Sequence, residues 1–158
     1  MNGRDDNAIF GALQRHGVDF VIIGGHAVYF HGYARLTEDV DVVWLRTGEG
    51  EKKLLAALKE IDARYIGKEI DPSTGIERDY PVTLAFIRST HMMLLVTRFG
   101  FLDVFDYVPG SVPEDPAKIF DSSIESHGLK YVAKDWLIKM KVEAGRTKDK
   151  ADLENLPK

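Results

Sequence analysis

Two aspartates one residue apart, Asp39 and Asp41, sit in an apolar run with Val40, Val42 and Val43. A strand projects alternate residues to one face, so this spacing points both carboxylates the same way and sends Val40 and Val42 toward a core. Two like charges side by side repel unless a cation lies between them or one takes up a proton. Such a pair on a rigid strand is a seat for a hard divalent cation such as magnesium. Upstream, Phe20-Val-Ile-Ile23 runs into Gly24-Gly25 and then into a short apolar helix, about His26 to Phe30, that Gly32 ends. A strand entering a helix through two glycines leaves backbone N–H groups uncovered, and these, with the helix dipole, favour an anion such as phosphate.

Taken singly, Gly-Gly is equally a tight turn, and Asp-x-Asp is more often a solvent-facing strand edge. Their combination, with Arg35 and Thr37 just ahead of Asp39, is far more specific. A phosphate cradle followed closely by a metal-binding carboxylate pair suits a nucleoside triphosphate with its magnesium. There is no Gly-Lys-Ser/Thr of the Walker type and no His-x-x-x-His spacing, which argues against a P-loop enzyme and against zinc. His26 adjoins the proposed cradle. His31, on an apolar helix, is the type of histidine that packs at a core rim, and His16, His91 and His127 fall at element ends or turns.

The elements that must position these groups are mostly periodic. Asn7 to His16 has helical spacing and Gly17 stops it; Glu51 to Ile61 is amphipathic, after a loop at Thr47-Gly-Glu-Gly50. Lys68 to Tyr80 is polar and is expected to be a loop. Val82 to Ile87 and Met92 to Thr97 are expected to pair as a hairpin, and Phe101 to Phe105 to form a further strand. Asp103 lies inside that last strand, between Leu102 and Val104, where a carboxylate needs a partner to offset its desolvation. Asp106, at the strand end, is the competing carboxylate, with loop capping as its ordinary role. A short helix within Pro113 to Phe120 and short strands at Ser123 to Ser126 and Leu129 to Val132 follow. Asp135 is placed to cap a helix over Trp136 to Ala144, and Thr147 to cap a last one through Leu156. Lys134, Lys141 and Lys148 recur at one interval, and Lys139 and Arg146 at the same one; their ordinary reading is a solvated face, with Asp149 and Asp152 as pairing partners.

At 158 residues with 44% apolar and 29% charged residues, the chain is expected to be a single domain spanning 1–158. No apolar run approaches the roughly 20 residues needed to span a bilayer. The N-terminus has no signal-peptide character and there is no cysteine, which fits a cytoplasmic protein and excludes disulfides and thiolate metal sites. A net charge of −4 offers nucleic acid no global attraction, so an RNA contact would need a local basic patch.

The pattern Gly24-Gly25, short helix, Arg35-x-Thr37-x-Asp39-x-Asp41 resembles the nucleotidyltransferase superfamily of the DNA polymerase beta type, in particular its small AbiEii-like and minimal members. A second stretch, Leu137-Ile-Lys-Met-Lys141 and Ala144-Gly-Arg146-x-Lys148-Asp149-x-x-Asp152-Leu153, resembles the C-terminal helical signature of the same group. His26 departs from it, since many members carry a serine or a small apolar residue there. The resemblance implies an α+β nucleotidyltransferase fold: a mixed twisted sheet with helices packed on it and a C-terminal helical segment. It implies transfer of a nucleoside monophosphate from a nucleoside triphosphate to an acceptor hydroxyl, with two magnesium ions held by Asp39 and Asp41 and completed by Asp103. Gly24 and Gly25 would bind phosphates through backbone N–H groups. Arg35 or Lys141 would neutralise charge, Thr37 would bond phosphate or orient Asp39, and His26, Arg146 and Lys148 are further candidate contacts. By the same resemblance the acceptor is a tRNA end, a partner protein of HEPN type or a small molecule such as an aminoglycoside. A non-catalytic, antitoxin-like binding module and a nucleotide sensor are the alternatives.

Overall fold

A computed structural model describes residues 3–110 and 112–158. The fold is α+β, with helices and strands interleaved along the chain and both parallel and antiparallel strand pairing. It divides into two compact units, one running from the N-terminal segment to Asp19 together with Arg46–Val104, the other Phe20–Leu45 together with Phe105–Lys158.

The first unit holds α1 (Asp6–Arg15), α3 (Gly48–Glu60), α4 (Leu84–Ser89) and four strands in the order β4-β3-β5-β6. Its strands are β3 (Arg64–Ile70), β4 (Glu77–Pro81), β5 (Met92–Thr97) and β6 (Gly100–Phe105). Apolar faces of the helices (Ile9 and Leu13 of α1, Leu54 and Leu58 of α3, Ile87 of α4) are fully buried. Arg46 fastens the start of α3 to α4, donating to Glu51 Oε2 at 2.7 Å, the Ile87 carbonyl at 2.9 Å and the Thr90 carbonyl at 2.7 Å.

Four local expectations change here. Thr47 accepts from the Gly50 N–H at 2.8 Å, so the Thr47–Gly50 segment is a capped helix start rather than a loop. Residues 68–80 are not a loop but the two arms of a hairpin, with Tyr65 facing Tyr80 and the turn made where Asp71 accepts from Ser73. That hairpin is largely exposed and charged, which hides the strand pattern. The stretch 82–87 is not a strand paired with β5; it enters α4, because Thr83 caps the Phe86 N–H at 3.1 Å. β5 instead pairs antiparallel with β3, Tyr65 opposite Leu95.

The second unit holds α2 (Gly24–Phe30), α5 (Ala117–Asp121), α6 (Lys134–Ala144), α7 (Thr147–Asn155) and strands in the order β2-β1-β8-β7. β1 (Phe20–Ile23) pairs antiparallel with β2 (Asp39–Trp44) from Phe20–Trp44 to Ile23–Asp41, and parallel with β8 (Leu129–Tyr131). β7 (Ile124–Ser126) and β8 form a hairpin through His127 and Gly128, both at positive φ. Val21, Ile23, Ala27, Val28, Val43, Val132, Leu137 and Leu156 form one core with Ile119 of α5. The caps of the last two helices differ from expectation. Ala133, not Asp135, precedes α6, and Asp135 lies in its first turn. Arg146 precedes α7, and Asp149 reaches back to the Arg146 N–H at 3.1 Å, a role that Thr147 was expected to fill from its own side.

Candidate active site

β1 delivers the chain to Gly24 at φ +67, in the left-handed region that glycine enters without a Cβ clash. Because Ile23 pairs with Asp41, this turn lies against the Asp41 side chain. A Cβ built on Gly24 would collide with the Asp41 carboxylate and stand 3.0 Å from its Cγ. Gly25 is buried, and a Cβ there would meet Thr37 Cγ2 at 2.5 Å and Arg35 Nη1 at 3.3 Å. The two glycines therefore let the strand carrying Asp41 and the segment carrying Arg35 and Thr37 close onto bare backbone. Asp39 and Asp41 are half-buried while Val40 and Val42 are buried, the alternation that puts both carboxylates on one face. His26 Nε2 is 3.4 Å from Thr37 Oγ1, a contact between α2 and the segment before β2. His31 is a rim residue: its Nε2 donates to the Val132 carbonyl at 2.8 Å.

Behind this turn lies a cluster of five charges. Asp152, fully buried on α7, accepts from Arg35 Nε at 2.6 Å and Arg35 Nη2 at 2.8 Å. Lys141 of α6 is buried between the two α7 carboxylates, its Nζ 2.9 Å from Asp152 Oδ2 and 3.1 Å from Asp149 Oδ1. Asp149, also fully buried, accepts from Arg146 Nε at 2.7 Å. Burial pushes both carboxyls up, but the hydrogen bonds from Arg146 and Lys141 to Asp149, and from Arg35 and Lys141 to Asp152, outweigh it and hold both below the usual carboxylate range. Arg146 is held above its ordinary value first by its hydrogen bond to Asp149, against burial, and then by the charges of Asp149, Asp41 and Asp152. Asp41 is thus within electrostatic reach of Arg146.

The second unit brings together Gly24, Gly25, His26, Arg35, Thr37, Asp39 and Asp41, and Arg146 is exposed ahead of α7 on Asp149. Lys141 is turned into the protein by its two carboxylate partners. Lys148 is exposed on the first turn of α7. Asp103 belongs to the first unit, half-buried on β6 between buried Leu102 and Val104; Asp106, just beyond β6, is half-buried as well. The importance of Asp149 and Asp152 was visible in sequence only as two acids among regularly spaced cations; which cations they hold was not.

No protein-family profile and no curated protein matches the sequence. Solved structures do match. The lincomycin-bound lincosamide antibiotic adenylyltransferase LnuA aligns over 98% of this chain and 98% of its own, at 16% identity and a TM-score of 0.61. The antibiotic-resistance factor ANT(2'')-Ia aligns over 96% of this chain and 80% of its own, at 15% identity and a TM-score of 0.59. ANT(2'')-Ia in complex with adenylyl-2''-tobramycin gives 17% identity and a TM-score of 0.57. In the described residues no helix is long and apolar enough to cross a membrane. The chain has the nucleotidyltransferase fold.

Proposed function

We propose that this protein is a magnesium-dependent nucleotidyltransferase that moves a nucleoside monophosphate from a nucleoside triphosphate to an acceptor hydroxyl. One observation carries the reading: the glycine turn at Gly24-Gly25 abuts the carboxylate of Asp41, so the backbone that opens α2 and an acid suited to a cation meet at one place. A triphosphate with its metal needs that juxtaposition. The fold shared with the lincosamide antibiotic adenylyltransferase and with ANT(2'')-Ia agrees with it.

Asp39 and Asp41 of the second unit and Asp103 of the first are each half-buried carboxylates, the donor chemistry that a hard divalent cation takes. In this reading Asp39 and Asp41 would hold two magnesium ions, with Asp103 as the further carboxylate proposed for them, and the ions would supply a lowered hydroxyl pKa at the acceptor and charge neutralisation at the pyrophosphate. The Gly24 and Gly25 N–H groups bind the β- and γ-phosphates. Arg35 and Arg146 offset the charge that develops there, with His26 and Thr37 lining the same turn. Lys148 remains the more remote candidate for phosphate or RNA contact, whereas Lys141 is turned into the protein by Asp149 and Asp152.

For the acceptor we favour a small molecule bearing a hydroxyl group, because the fold neighbours carry lincomycin and adenylyl-tobramycin. A tRNA end and a HEPN-type protein, within a cytoplasmic toxin–antitoxin pair of the AbiEii kind, are the other acceptors to assay. The test is pyrophosphate release from each nucleoside triphosphate with magnesium and a panel of these acceptors. Release that needs an acceptor, needs magnesium and disappears in Asp39→Asn supports transfer; tight triphosphate binding with no release under any condition makes the protein a sensor or a docking module.

A further inference from the structure

A buried charge cluster is a costly way to hold helices together. Taking two carboxylates and a lysine out of water is costly, and apolar residues of the same volume often stabilise as well or better. Arg35, Lys141 and Arg146 are all held by Asp149 and Asp152. The partners differ in access: the side chains of Asp149 and Asp152 are 0% exposed and that of Lys141 7%, whereas those of Arg35 and Arg146 are 23% and 60% exposed. The charges of the cluster that reach solvent are therefore those of the guanidiniums. Arg35 flanks the glycine turn, since its Nη1 would stand 3.3 Å from a Cβ on Gly25.

We infer that Asp152 is a positioning residue for the triphosphate: it holds the Arg35 guanidinium beside the Gly24-Gly25 turn, as Asp149 holds Arg146, and Lys141 is the buried counter-ion of both acids, not a phosphate ligand. The inference rests on the nucleotidyl-transfer reading above and adds to it which cations meet the phosphates and what aims them. Geometry gives the reason for the acid at Asp152. A carboxylate accepting from both Nε and Nη2 fixes the plane of the guanidinium, which a single hydrogen bond does not. Arg35 Nη1 is fixed further by donating to the Leu36 carbonyl at 2.9 Å. Asp149 does the same for Arg146 through Nε and, more weakly at 3.3 Å, Nη2. Lys141, touching both acids at once, makes the two clamps one unit.

The experiment is calorimetric binding of each nucleoside triphosphate and its monophosphate, with magnesium, to the full chain and four variants. In Asp152→Asn, triphosphate affinity is expected to fall about tenfold, as misplacement of a positioned charge does, with monophosphate affinity unchanged. In Arg35→Ala the same selective loss is expected, and adding Asp152→Asn to it is expected to change nothing more. Lys141→Gln is expected to lower the melting temperature but leave the triphosphate-to-monophosphate affinity ratio alone. Equal loss for both nucleotides in Asp152→Asn, full additivity in the double variant, or a collapsed ratio in Lys141→Gln would overturn the inference. Should a variant fail to fold, nitrogen-15 NMR of arginine side chains in the unmodified protein decides. A slowly exchanging Arg35 Nε–H that shifts with triphosphate and not with monophosphate supports the inference, and an Arg35 signal indifferent to triphosphate overturns it. If the unmodified protein binds no triphosphate at all, the transfer reading itself has failed and the inference falls with it; that outcome is distinct from binding without selectivity in the variants.

Discussion

Arg35 and Asp152 stand 117 positions apart in the chain and meet in a two-point salt bridge, Nε to Oδ1 at 2.6 Å and Nη2 to Oδ2 at 2.8 Å. The contact joins the segment that leads into the Asp39–Asp41 strand to the last helix. Removing one member of a buried pair leaves the other charge stranded. Asp152→Ala is accordingly expected to cost about 3–5 kcal/mol of stability, read by denaturant unfolding. Arg35→Ala is expected to cost less, because Lys141 still holds Asp152.

Acid should loosen the same cluster. Asp149 and Asp152 have folded-state pKa values below the ordinary carboxylate value, so their stabilisation is present above the unfolded pKa, about 3.9, and is lost as pH falls through the lower folded values. Equilibrium unfolding across pH 3 to 7 checks this. The Asp149→Asn and Asp152→Asn variants are expected to be less stable at neutral pH and to lose less on acidification than the unmodified protein. Parallel pH curves would contradict the assignment.

Gly24 offers a sharper separation of site from scaffold. In Gly24→Ala the residue must keep φ near +67 and its Cβ must share space with the Asp41 carboxylate. Backbone strain of about 1–2 kcal/mol is expected, and with it a displaced Asp41. Triphosphate turnover should fall far more than the melting temperature suggests. Thr83→Ala is the control of opposite type: it removes the cap of α4, at a cost of about 1 kcal/mol, and should leave nucleotide binding unchanged.

The legibility of the chain follows its physics. β1 was readable end to end because a purely apolar run of four is bounded by a charged residue and two glycines. β2 was readable because Asp39, Val40, Asp41 and Val42 alternate, and the structure keeps that alternation in burial. α4 was misread because six residues are too few to separate a period of 2 from one of 3.6; the deciding feature is a single cap at Thr83. β3 and β4 were missed because an exposed hairpin edge carries charges where a buried strand would carry Val or Ile. The glycine turn and the Asp-x-Asp pair were legible from local spacing, and the structure sets Gly24 against Asp41. The pairing of Arg35 with Asp152 was not, since no periodicity links residues 117 apart.

Both compact units are discontinuous in sequence, and the chain passes between them after Asp19, Leu45 and Val104. The single-domain reading therefore stands as a proposal with a simple check. Calorimetric unfolding is expected to show one transition whose van't Hoff and calorimetric enthalpies agree; two resolved transitions would make the units independent domains.

Label transfer tests the central claim most directly. The purified protein is incubated in cell extract with magnesium and each α-labelled nucleoside triphosphate in turn, beside an Asp39→Ala/Asp41→Ala double variant, and RNA, protein and small-molecule fractions are separated. The account predicts label in one fraction, with the unmodified protein only, which would also name the acceptor class. Label in no fraction, from a protein shown to bind the triphosphate, would contradict it.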